Sequence, residues 1–89
     1  MIYKVFLHEP ASQFLASLKA EDHLRAKDLA RVLLSLGKNP KPLGSRELAP
    51  SEVEQIPGSR LWTRPDWILT YRVDDAAKTV DVGRIVKNP

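Results

Sequence analysis

Three of the seven arginines, Arg60, Arg64 and Arg72, fall with both tryptophans, Trp62 and Trp67, inside SRLWTRPDWILTYRVDD, and Arg84 follows in DVGRI. Guanidinium groups bind phosphate through paired hydrogen bonds, and aromatic rings stack on bases. Arg60, Trp62 and Arg64 alternate with Leu61 and Thr63, so a strand here would line all three along one side. The chemistry implied is a grip on something anionic. Each residue also has a plainer reading. Arg60, Arg64 and Arg84 would serve as solvated strand residues that discourage edge pairing. Arg72, close to Asp74 and Asp75, has a local ion pair within reach, and Trp62 either stacks a base or caps one end of the core. Tyr71 offers a phenol, but on a position that alternation assigns to packing.

Other chemistries find little support. The two histidines, His8 and His23, belong to no metal spacing or nucleophile pair, and GSR after Pro57 is not a phosphate-binding loop. The absence of cysteine excludes a disulfide framework, thiolate catalysis and cysteine-ligated metals, and makes the cytoplasm the natural compartment. No cofactor and no metal are expected.

These side chains need a scaffold, and the periodicity supplies one. IYKVFL reads as a first strand, Ile2 to Leu7. EPASQFLASL reads as a short helix with Pro10 near its start and Phe14, Leu15 and Leu18 on one face. A longer helix is expected from about Glu21 to Leu36. Leu29, Leu33 and Leu36 form its stripe with Ala26 and Ala30 beside it, and Gly37 is its expected C-cap. With only Lys19 and Ala20 between them, the two helices should form an antiparallel hairpin. The segment GKNPKPLGSRELAPSEVEQIPG has no sustained period and reads as a long connection with one helical turn around Ser51 to Glu54. Strands are then expected at Arg60 to Arg64, Trp67 to Val73 and Thr79 to Val86, joined by PD and DDAAK as an antiparallel meander. In the middle one, Trp67, Leu69, Tyr71 and Val73 share the core side, and Ile68, Thr70 and Arg72 the other.

With 89 residues, 43% hydrophobic and 28% charged, the chain has ordinary globular composition for one domain, 1–89. The net charge of +3 and pI near 9.5 lean towards anionic partners. No run approaches the roughly 20 apolar residues of a membrane span, so no membrane partner is expected. The fold class is α+β: the N-terminal strand and the meander in one small twisted sheet, with the helix hairpin on one face. The other, open face would carry Arg60, Arg64, Trp62 and Arg84.

The element order, together with LLSLGKNPKPLGSREL and WILTYRVDDAAKTVDVGRI, resembles the RelE/ParE superfamily of type II toxins. The resemblance covers essentially the whole chain. It implies a toxin silenced by a cognate antitoxin: either a RelE-like nuclease that cuts mRNA on the ribosome, or a ParE-like poison of DNA gyrase. A catalytically silent RNA- or protein-binding relative is the third reading. For the nuclease, the resemblance implies that Arg60, Arg64 and Arg84 are the catalytic cations; Trp62 and Arg72 are expected to contact RNA. It also expects an arginine where Ile68 stands, and a C-terminal Tyr or His where this chain reads IVKNP.

Overall fold

The computed structural model describes residues 2–48 and 59–89, so the helical turn expected at Ser51 to Glu54 lies outside the described residues. β1 spans Lys4–Leu7, α1 Glu9–Glu21, α2 His23–Lys38, β2 Ser45–Glu47, β3 Ser59–Thr63, β4 Trp67–Asp74 and β5 Thr79–Lys87. The strands form one sheet in the order β1-β5-β4-β3-β2. β1 runs parallel to β5, and the remaining pairs are antiparallel. The expected α+β architecture, helical hairpin and three-stranded meander are all present. Strand details differ: β1 begins at Lys4 rather than Ile2, β3 ends at Thr63 and leaves Arg64 just after it, β4 and β5 each run one residue further, and an unforeseen short strand, β2, extends the sheet.

A single residue separates the helices. Asp22 has extended backbone angles, φ −150° and ψ 91°. Its N–H still closes α1 by donating to the Leu18 carbonyl at 2.7 Å. Its carboxylate accepts from the Arg25 N–H at 3.2 Å, which caps α2. The break therefore falls at Asp22, not at Lys19 and Ala20, because Asp can satisfy orphan amides that Lys and Ala cannot.

α2 also runs further than expected, through Gly37 to Lys38, with Asn39 as its C-cap. Gly37 is there for space. A Cβ on it would lie 2.9 Å from the Tyr3 carbonyl oxygen and 3.3 Å from Val5 Cγ2. The Tyr3 N–H donates to the Gly37 carbonyl at 2.7 Å. The helix thus docks backbone to backbone on the approach to β1.

The core lies between the hairpin and one side of the sheet. α1 contributes Ala11 and Leu18, α2 contributes Ala26, Leu29, Leu33 and Leu36, and the sheet contributes Trp67, Leu69, Tyr71, Val80, Val82 and Ile85. Phe14 meets Trp67 edge-on, with ring centroids 6.0 Å apart. The helices pack over β1 and β5, and β3 and β2 lie beyond them.

β5 contains the one irregularity that sequence alternation misses. Tyr71 pairs with Val82 but Thr70 pairs with Arg84, so Gly83 is an extra residue. Past this bulge the sides exchange, and Ile85 rather than Arg84 points into the core.

A polar cluster joins three distant segments at the surface. The Tyr3 hydroxyl donates to Asp75 at 2.6 Å and the Lys41 ammonium does so at 3.3 Å. Lys78 lies 5.2 Å from the Tyr3 ring centroid. The hydrogen bond from Tyr3, then that from Lys41, hold the Asp75 carboxyl below the usual carboxylate range. The same Asp75 contact pushes the Tyr3 phenol up from its ordinary value.

Two outcomes follow from this packing. Gly37→Ala should lower stability in urea unfolding, although Ala in an unobstructed helix interior would raise it by roughly 0.5–1 kcal/mol. For the polar cluster, both groups titrate in the direction that keeps Tyr3 protonated and Asp75 ionised. Their contribution is fully present between the ordinary values of 3.8 for Asp and 10.0 for Tyr. It is lost as pH falls through the lowered Asp75 value, or rises through the raised Tyr3 value. The stability difference between the native chain and Tyr3→Phe, followed by urea unfolding across pH, should be flat inside that window and shrink at both ends.

Candidate functional site

β3 has the sequence SRLWT, and its register with β4 decides which way each side chain points. Arg60 pairs with Tyr71 and Trp62 with Leu69, whereas Leu61 pairs with Thr70 and Thr63 with Ile68. Cross-strand partners share a side. Arg60 and Trp62 therefore stand on the helix side, with the buried Leu69 and Tyr71. The Arg64 guanidinium carbon lies 5.0 Å from the Trp62 ring centroid, which puts it there too. The expectation that these residues occupy the face away from the helices is thus reversed. They lie on the helix side of the sheet, beyond the edge of the hairpin.

Arg84 and Arg72 do not join them. Arg84 pairs with Thr70, and Arg72 with Asp81 and Ser59, all on the outer side. For Arg84 the cause is the bulge at Gly83, which turns it away from the side of Val82. Ile68 is also on the outer side, opposite Val86 and Thr63, so an arginine in its place would not face Arg60 and Arg64. Arg60 and Arg64 are the two expected cations that the fold brings to one shelf.

Trp62 forms the floor of this shelf. Its indole is only 7% exposed, and the guanidinium of Arg64 covers it. The base-stacking reading therefore does not fit, because the ring is occupied by packing below and a cation–π contact above. Tyr71 is 1% exposed and its hydroxyl donates to the Pro40 carbonyl at 2.8 Å. That bond ties the segment after α2 across the sheet and removes the phenol from acid–base work. Gly44, at φ +92°, turns this segment into β2 beside Trp62; a Cβ there would stand 3.9 Å from Trp62 Nε1.

The electrostatics of the shelf are unbalanced. Arg60 Nη2 donates to Ser45 Oγ at 2.9 Å. The Nε atoms of Arg60 and Arg64 are buried and lack a partner among the described residues. No carboxylate forms an ion pair with either guanidinium among the described residues. Such groups retain unused donors and positive charge. The turn after β3 is fixed by hydrogen bonds from the Arg64 N–H to the Trp67 carbonyl, 2.7 Å, and from Asn88 Nδ2 to the Arg64 carbonyl, 2.7 Å. Arg25 pairs with Asp66 at 3.7 Å and lies 5.9 Å from the Trp67 ring centroid, which fixes the turn to α2.

One residue escaped the sequence reading. Glu47, in β2, pairs with Arg60 in register and thus shares its side. Its signal was hidden because SRE is too short to show alternation and sits in a Pro/Gly-rich stretch. Glu47 is exposed, and brings a carboxylate to the side of the sheet that carries the guanidiniums. His8 and His23 are both exposed, one at the end of β1 and one at the start of α2. Among the described residues no group of three or more His, Asp or Glu could hold a metal ion, and no helix is long and apolar enough to cross a membrane.

No protein-family model matches the sequence, and no curated protein matches it. Solved structures do. A chain of the toxin–antitoxin complex RelBE2 from Mycobacterium tuberculosis superposes with a TM-score of 0.78 at 20% identity, over 99% of this chain and 100% of that one. The YoeB/ParE toxin from Agrobacterium tumefaciens gives 0.74 at 12% identity, over 97% and 99%. A chain of the YoeB–YefM complex from Staphylococcus aureus gives 0.69 at 15% identity, over 100% and 99%. At such identities what is shared is the backbone, over nearly the full length of both chains: this chain has the fold of the RelE/ParE-type toxins.

Proposed function

We propose that this protein is the toxin of a toxin–antitoxin pair and that it arrests translation by cutting mRNA on the ribosome. The observation that carries this reading is the pair of unbalanced guanidiniums, Arg60 and Arg64, on one shelf of a RelE/ParE-type fold. Glu47, directly across from Arg60 in register, adds the carboxylate such a cut requires.

In the reaction, Glu47 takes the proton from a ribose 2′-hydroxyl as that oxygen attacks the adjacent phosphorus. Arg60 and Arg64 hold the non-bridging oxygens and offset the charge that grows on them. The bond to the 5′-oxygen then breaks, and that oxygen is protonated by a water that in turn takes the proton held on Glu47. The products are a 2′,3′-cyclic phosphate and a 5′-hydroxyl. The ribosome would present the mRNA, because a shallow shelf cannot by itself hold a strand in line for attack. Arg72 and Arg84, on the outer side, would contact the ribosome rather than the reacting phosphate.

The partner that silences such a toxin would be a small antitoxin with an acidic segment able to cover the shelf. RelBE2 is a toxin–antitoxin complex and YoeB–YefM is a complex, and a chain of each shares this fold. The rival reading, a ParE-like gyrase poison, draws its support from two absences: the arginine that the resemblance expects at Ile68 and the Tyr or His that it expects near the C-terminus.

Expression without an antitoxin should stop incorporation of labelled amino acids before that of thymidine. The reverse order, with gyrase-linked DNA breaks, would assign the protein to the rival. On purified ribosomes carrying a defined mRNA, Arg60→Ala or Glu47→Gln should slow cleavage about a hundredfold. Arg84→Ala should leave the cleavage rate of the bound complex unchanged.

A further inference from the structure

The shelf contains a hydroxyl whose proton is already committed. Ser45 Oγ donates to the Pro42 carbonyl at 2.7 Å, and the Ser45 N–H donates to the same carbonyl at 3.0 Å. A serine hydroxyl has one proton and two lone pairs. With the proton directed to Pro42, only lone pairs remain for Arg60, and Arg60 Nη2 donates to them at 2.9 Å. This is the single hydrogen-bond partner found for the Arg60 side chain among the described residues, since its Nε has none.

The acceptor is itself held at both ends of its segment. Tyr71 anchors Pro40 through its carbonyl, and Lys41 is bridged to Asp75 at 3.3 Å. At the other end, Ser45 pairs in register with Trp62 on β3, two residues from Arg60 on the same side. An arginine side chain loses rotamer freedom when it is fixed. Where one fixed oxygen sets the position of the guanidinium, that cost is met before the ligand arrives.

We infer that Ser45 is a positioning residue, which acts through Arg60 to hold the guanidinium where an RNA phosphate can meet it. The inference rests on the proposed function, in that the anion is taken to be RNA. Ser45 itself touches neither the phosphate nor the 2′-hydroxyl. The hydroxyl, rather than the size of the side chain, is what matters, and this separates Ser45 from a residue that merely packs.

The test is a double-mutant cycle on equilibrium binding of a short 2′-O-methyl RNA, which cannot be cut by 2′-hydroxyl attack, to the isolated full chain. Ser45→Thr and Ser45→Val have nearly the same shape and differ in the oxygen; Ser45→Val also gives up the bond to the Pro42 carbonyl and should melt lower, so binding is compared at a temperature where both are fully folded. Ser45→Val should bind roughly tenfold more weakly, about the worth of one charge-assisted hydrogen bond, while Ser45→Thr keeps native affinity. On an Arg60→Ala background the two variants should bind equally, because the group they position is gone. If Val and Thr still differ by the same factor without Arg60, the hydroxyl acts on something else and the positioning role is overturned. Equal binding by Val and Thr with Arg60 present overturns it as well. If Arg60→Ala itself leaves binding unchanged, the shelf does not hold RNA, and both the inference and the proposed function fall together.

Discussion

The hydroxyl of Tyr71 is the point on which the shelf depends. The ring belongs to the core at the middle of the sheet, and a phenol buried so completely must find an acceptor or lose the worth of a hydrogen bond. It finds one in the Pro40 carbonyl. That bond draws the chain leaving α2 across the edge of the core instead of letting it run into solvent. Gly44 then turns the segment so that Ser45–Glu47 can pair with β3. The crossing brings β2 beside β3, with the acceptor for Arg60 and a carboxylate in register with it.

The incomplete cover given by the helices explains why a cationic site can exist on the core side of the sheet. α1 and α2 pack over β1 and β5, where Val80, Val82 and Ile85 supply an apolar surface. Beyond them the same side continues through Trp62, which is apolar enough to complete the core and flat enough to carry Arg64 on its face. Guanidinium groups tolerate this border because they are weakly hydrated and stack well on aromatic rings, which an ammonium group does less readily. The outer side has a different character, with Arg72 opposite Asp81 and Arg84 opposite Thr70. Charge is thus divided between two sides of a thin sheet, and a reading that adds all the arginines together overstates what any one surface can grip.

The sequence by itself determined the elements and most of the core. The heptad-like stripe of Leu29, Leu33 and Leu36 and the alternation of Trp67, Leu69, Tyr71 and Val73 are local patterns, set by the 3.6-residue and two-residue periods of helix and strand. Both appear in the fold as read. Tertiary structure decided what lacks a local signal. Gly37 lies inside its helix because the backbone of Tyr3 approaches it, a contact 34 residues away in the chain. Three-residue β2 exists only through its pairing with β3. The side of the sheet taken by Arg60 and Arg64 follows from register with β4, since alternation separates two sides of a strand but does not say which is covered. Arg84 left the group because one extra residue, Gly83, changes the phase of β5, and a bulge is a property of a strand pair that no single strand announces.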